Sequence, residues 1–304
     1  MTDVDGGLAS DAKSVIMFSG KGGVGKTTCA AATALHYAST GKQTLAISTD
    51  ATPSLSHIFE LAGDKKPARV QESLYINELG LGEVEKMWDE KFGRDVYDVF
   101  SSFVSVDYEE FVGFTTSMLP GLRDEFMVDY IMELSRGGEH SPIIWDTAPL
   151  GQTLALLQTP AMIVEHLRTA PRIYSKLKHS HISKEPILDI IRRWQRLSVE
   201  NMDFLRNEVR FVIVTIPEAL AVEQLEGVFS ELNKYGLKID QLIVNNVIKA
   251  DDSEFLLMKA GQQKKYLDLI YDRYTDLGIV EVPMFPYEIK GLDRLREVQR
   301  ILFQ

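Results

Sequence analysis

A doubly wound, mostly parallel α/β sheet with a helical subdomain built from two inserts is the fold class that three features of the sequence predict. Apolar, β-branched runs recur along the chain and alternate with helix-period segments. A glycine-rich loop separates the first such run from a helix-forming segment. Two stretches far longer than an ordinary connection contain no convincing strand.

The first run, Val15-Ile16-Met17-Phe18, reads as a buried strand, and Cys29 to Leu35 is rich in helix formers. Between them stand Ser19, Gly20, Lys21, Gly22, Gly23, Val24, Gly25, Lys26, Thr27 and Thr28. Strand, glycine loop, Gly-Lys-Thr and helix form the context of a phosphate-binding loop, so the sheet is of the P-loop NTPase type. Glycines let the backbone N–H groups turn inward around phosphate, and the helix N-terminus adds its positive dipole end. Lys26 is placed to reach the β- and γ-phosphates, and the Thr27 hydroxyl to ligate Mg2+. Lys21, directly after the first glycine, is a second loop cation. This loop resembles the deviant one of a family that includes nitrogenase iron protein, chromosome-partition ATPases and arsenical pump-driving ATPases. The resemblance implies that Lys21 crosses a dimer interface to the partner's nucleotide, where a cation offsets charge as the phosphate bond breaks.

Further strands follow in order: Thr44 to Ser48, Leu74 to Leu79, Ile143 to Asp146, Phe211 to Thr215, Leu242 to Asn245 and Ile279 to Val282. Leu225, Val228, Phe229 and Leu232 share one helix face between two of them. Asp50, just past the second strand, is the candidate for orienting the attacking water; capping a helix toward Ser54 is the plainer role. Asp146 ends an apolar strand and suits the second shell of Mg2+ through a water; as an isolated residue it would equally suit helix capping.

The two strand-free inserts fall at about 83–134 and 159–207. The first is acidic and carries Met87, Trp88, Phe92, Val96, Phe100, Phe103, Met118, Met127 and Met132. The second leans basic. Composition alone favours two packed helical hairpins with an ordinary core; the alternative is a groove for a hydrophobic ligand, which flexible methionine suits. Domain organisation is therefore a disordered lead-in at 1–13 and one ATPase domain at 14–304 bearing the inserts.

The 304 residues have a formal net charge of −11, which argues against nucleic-acid binding through a basic face. One cysteine, Cys29, excludes an intramolecular disulfide framework. The acidic N-terminus is not a secretory signal, and no apolar run approaches a membrane span, so a cytoplasmic location is expected.

A wider set of segments resembles the arsenical pump-driving and tail-anchored-protein targeting (GET pathway) ATPases. It comprises the loop, Ser48-Thr49-Asp50 with Ser54-Leu55-Ser56, and Pro120-Gly121 with Glu125. It continues with Asp146-Thr147-Ala148-Pro149, Gly151 with Thr153-Leu154, Val244-Asn245, Gln263-Lys264-Lys265-Tyr266-Leu267 and Glu288-Ile289-Lys290-Gly291-Leu292. They run in order from about Ser14 to Arg296. The resemblance implies a Mg2+-dependent ATPase, a homodimer that opens and closes, and a client groove in the inserts. The client implied is the transmembrane helix of a tail-anchored protein, with a membrane receptor and no direct membrane insertion. Lys21, Lys26 and Asp50 are then catalytic, and Glu218, Asn245 and Pro286 join the loop as ATP contacts.

Departures are informative. Asp50-Ala51-Thr52-Pro53 replaces the family's Asp-Pro-Ala-His, and Leu150 and Gln152 replace threonine and histidine in the second switch. Ser253 to Leu256 stands where eukaryotic targeting factors carry Cys-x-x-Cys, so no shared zinc is expected. One cysteine also disfavours an arsenite pump, since trivalent arsenic needs several thiolates. The rival readings are a membrane-associated positioning ATPase of the cell-division type and a holdase or regulatory ATPase of the same fold.

Overall fold

The computed structural model describes residues 13–50, 54–61, 67–100, 107–112, 122–148, 151, 155, 157–159, 161, 165, 168, 184–249 and 253–304. The chain divides into two compact units. Unit 1 comprises Met1–Glu78, Ser135–Leu154 and Arg206–Gln304; unit 2 comprises Leu79–Leu134 and Ala155–Leu205.

Unit 1 is an eight-stranded sheet in the order β3-β4-β2-β5-β1-β6-β7-β8. The strands are β1 (Val15–Gly20), β2 (Thr44–Ser48), β3 (Ala68–Gln71), β4 (Leu74–Glu78), β5 (Ile143–Asp146), β6 (Val209–Thr215), β7 (Ile239–Val247) and β8 (Gly278–Pro283). Every neighbouring pair is parallel except β3 with β4. The α/β class is thus as the apolar runs predict. The short edge strand β3 is absent from the sequence reading: Ala68-Arg69-Val70-Gln71 is too short and too exposed to give an apolar run.

Every residue of β1, β2, β5 and β6 is buried, as strands covered on both faces must be. Helix α1 (Lys26–Ser39) follows the loop after β1, and the short helix α2 (Leu55–Ile58) comes after β2. Ala30, Ala31 and Ala34 of α1 are small enough to bring that helix close to the sheet, where they join a core with Phe18, Val212 and Ile243. The C-terminal helix, Gly291–Leu302, packs on α1 and adds Leu295, Val298 and Leu302 to that core. Burying each such leucine or valine contributes ~1.5–3 kcal/mol. β1 lies between β5 and β6, while the chain leaves it for β2, one place further out. The strand order therefore reverses at the carboxyl end of β1, where open α/β sheets bind ligands.

Unit 2 is helical among its described residues. It contains α3 (Leu81–Trp88), a π-helical turn (Asp89–Gly93), α4 (Arg94–Phe100), most of α5 (Leu122–Gly137) and most of α6 (Lys184–Asn207). Trp88, Phe92, Met127 and Met132 are buried and Met87 is half-buried. Phe92 stacks on Trp194 at 5.8 Å and meets Phe126 edge-on, also at 5.8 Å. In this conformation these side chains form an interior. The side chains of Val96 and Phe100, and all of Phe103 and Met118, lie outside the described residues, as does 1–12 of the lead-in.

Candidate active site

The loop leaves β1 at Gly20, where a Cβ would stand 2.2 Å from the Val214 carbonyl oxygen of β6. No other side chain fits there, so glycine sets how closely the loop runs beside β6. Gly25 enters α1 in a left-handed conformation, φ 96°, and a Cβ on it would lie 2.2 Å from the Asn245 amide nitrogen. That amide donates to the Val24 carbonyl at 2.8 Å. Asn245 thus joins the end of β7 to the loop, a contact that the sequence reading of Asn245 as an adenine contact does not contain.

Lys26 is buried, and its Nζ donates to the Lys21 carbonyl at 3.3 Å. Burial lowers its pKa, against the opposing pull of Asp146 and Asp50. Thr27 donates its hydroxyl to Asp146 Oδ2 at 2.8 Å, and Ser54 does so at 3.4 Å. The other oxygen, Asp146 Oδ1, is buried with no hydrogen-bond partner among the described residues. Burial pushes this carboxyl up to about 6, although Thr27 and Lys26 pull it down. Asp50 is half-buried, and its N–H donates to Ser48 Oγ at 3.3 Å. Lys21 is half-buried, while Gly22 and Gly23 are exposed. The loop, Asp50 and Asp146 therefore meet at one end of the sheet.

A cavity of about 530 Å3 opens beside the loop. Gly23, Gly25, Thr27 and Thr28 form one wall. Asn245 and Asn246 form another, and Phe285, Tyr287 and Ile289 a third. The volume falls within the usual range for a small-molecule site. Ser54, at the N-cap of helix α2 (Leu55–Ile58), and His57 and Ile58 within that helix also line it. Glu78, at the end of β4, holds that helix by accepting from the N–H groups of Leu55 at 2.9 Å and Ser56 at 3.2 Å. Neither the Phe285 wall nor this use of Glu78 was read from sequence; both depend on segments that meet only in the fold. Pro286 is not among the lining residues, though Phe285 and Tyr287 on either side of it are. Glu218 precedes the helix Ala219–Lys234; it is exposed and does not line the cavity. Positions 51–53, 150 and 152, the switch departures, lie outside the described residues. Among the described residues, no group of three or more His, Cys, Asp or Glu is placed to hold a metal, and no helix is long and apolar enough to cross a membrane.

A glycine-rich loop with the phosphate-loop sequence at the strand-order reversal, its lysine and threonine facing an aspartate from the neighbouring strand, defines the class as a P-loop ATPase. The comparisons with known proteins give the family. The chain belongs to the anion-transporting ATPases, whose family model matches residues 13–304. It is 29% identical over 302 residues to putative arsenical pump-driving ATPase 2 of Aquifex aeolicus (strain VF5), covering 95% of this chain and 98% of that protein. It is 29% identical over 301 residues to ATPase GET3A of Arabidopsis thaliana, covering 92% and 81%. With ATPase ASNA1 homolog 1 of Paramecium tetraurelia it shares 27% over 312 residues, covering 95% and 92%.

Proposed function

We propose that this ATPase is a homodimeric, cytoplasmic targeting factor that shields the transmembrane helix of tail-anchored proteins and releases it through its ATP cycle. The observation that carries the reading is a separate helical unit inserted into a P-loop sheet, rich in aromatic and methionine side chains. The resemblance to tail-anchor targeting ATPases and the likeness to a protein named GET3A support the same choice. Because Trp88, Phe92, Met127 and Met132 are buried, a client helix reaches them only when these helices part.

In this reading the loop N–H groups from Gly20 to Thr28 cradle the phosphates, and Lys26 turns from the Lys21 carbonyl to the γ-phosphate. Lys21 serves the partner's nucleotide, and Asp50 orients the attacking water. Asn245 contacts the adenine, with Glu218 and Pro286 near the nucleotide. The residues present fit a magnesium ion: Asp146 Oδ1 is buried and has no partner among the described residues, while Oδ2 of the same carboxylate accepts from the Thr27 hydroxyl. Thr27 would hold the ion directly and Asp146 through a water; the ion supplies positive charge that offsets the phosphates' developing charge. Arsenite transport is not favoured. Cys29 is the lone cysteine, it is fully buried, and burial pushes its thiol up to about 12.

Co-expression with a tail-anchored protein, followed by size-exclusion chromatography, tests the proposal. A complex that is lost when the client's transmembrane segment is deleted is the expected result. An active ATPase that retains no client would refute it.

A further inference from the structure

We infer that Gln263 is a positioning residue for the base-binding end of the nucleotide cavity, gripping the bulge of β7 that aims Asn245. The inference rests on the nucleotide reading of that cavity and goes beyond it in naming what holds its wall in place. Val244 pairs with Glu281 and Val247 with Pro283, so β7 spends one residue more than β8 at this point. The extra residue falls at Asn245-Asn246, and Asn246 has a left-handed φ of 57°. A bulge beside a site re-aims a side chain, and a left-handed non-glycine residue persists only where its surroundings hold it.

Gln263 provides that hold from the helix Glu254–Arg273. Its Nε2 donates to the Asn246 carbonyl at 2.9 Å, and its Oε1 accepts from the Ile248 N–H at 2.8 Å. One amide thus satisfies a carbonyl of the bulge and the N–H two residues beyond it. From the other side, the Met284 N–H donates to the Val247 carbonyl at 2.9 Å. Asn245, aimed by this bulge, donates to Val24 of the loop. Asn245 and Asn246 line the cavity and Gln263 does not, so Gln263 acts through them. Only a side chain with both a donor and a good acceptor makes this pair of bonds: ionised glutamate lacks the donor, and methionine lacks the donor and has only a weakly accepting sulfur. The helix itself buries one residue, Ile270, so the grip is not a by-product of a buried helix core.

Gln263→Met and Gln263→Glu variants test this, with phosphate release measured against ATP and with inorganic tripolyphosphate as a base-free competitor. Both variants should raise the KM for ATP about tenfold, or about 1.4 kcal/mol. The kcat should stay within about twofold, and the inhibition constant of tripolyphosphate should not move. An unchanged KM overturns the inference. So does equal loss of ATP and tripolyphosphate binding, or failure of both variants to fold, because each marks a general structural role. A wild-type chain that binds tripolyphosphate but not ATP would instead refute the nucleotide reading.

Discussion

Asp146→Asn isolates the electrostatic cost built into the active site. In the folded chain burial, with the nearby Asp50 charge, pushes this carboxyl from an ordinary value of 3.8 up to about 6, against the pull of Thr27, Lys26 and Ser54. Below pH 3.8 it is protonated in both the folded and unfolded states and costs nothing. As pH rises, the unfolded chain releases its proton first, so the folded state loses relative stability until the native carboxyl also ionises near 6. The full span is worth ~3 kcal/mol, of which ~2 kcal/mol falls between pH 4.5 and 7.5. The asparagine side chain does not titrate. The difference in unfolding free energy, wild type minus variant, should therefore fall by ~2 kcal/mol across that range, whatever its starting value. Trp145 in β5 reports on unit 1 once Trp88 and Trp194 are replaced by phenylalanine in both proteins. Urea midpoints followed by its fluorescence should converge or separate by about 1 M between the two pH values. A difference that stays constant with pH would show that Asp146 carries no such cost, and the argument for a cation beside it would lose its physical basis.

Three other outcomes follow from the same geometry. Gly25→Ala imposes a left-handed alanine and drives its Cβ into the Asn245 amide, so ATP affinity should fall by about 30-fold or more, read by calorimetry. Asp50→Asn should bind ATP normally and lose at least about tenfold in phosphate release, since orientation of the water is removed and the cradle is not. Lys21→Ala and Lys26→Ala should each be inactive alone, yet mixing them should restore about a quarter of wild-type turnover. In the proposed homodimer, half of randomly mixed dimers are mixed, and each of those has one complete site if Lys21 acts across the interface. No recovery on mixing would place Lys21 within its own protomer's site.

The phosphate loop was legible because its chemistry is local. Gly20, Gly25, Lys26 and Thr27 stand at fixed spacing between a strand and a helix, and no distant residue is needed to recognise them. The buried parallel strands were legible because burial on both faces leaves uninterrupted apolar runs such as Phe211 to Thr215. The edge strand Ala68–Gln71 was not, since only one face is covered and Arg69 and Gln71 break the run. The cavity walls were partly hidden for a different reason. Phe285 and Tyr287 approach the loop through the packing of β8 and the C-terminal helix, and Glu78 meets Leu55 from 23 positions away. The aromatic insert shows the limit of composition: Trp88 and Phe92 carry the same letters whether they line a groove or fill a core, and here they are interior.

The claim that nucleotide state governs client binding is tested most directly by the affinity of the purified ATPase for a fluorescently labelled transmembrane helix. Anisotropy titrations would use the Asp50→Asn variant held with ATP and the wild type held with ADP. At least a tenfold difference in affinity between the two states is expected, because a ligand and a nucleotide that share one conformational equilibrium must influence each other. Equal affinity in both states would contradict it and leave the helical unit uncoupled from the ATPase.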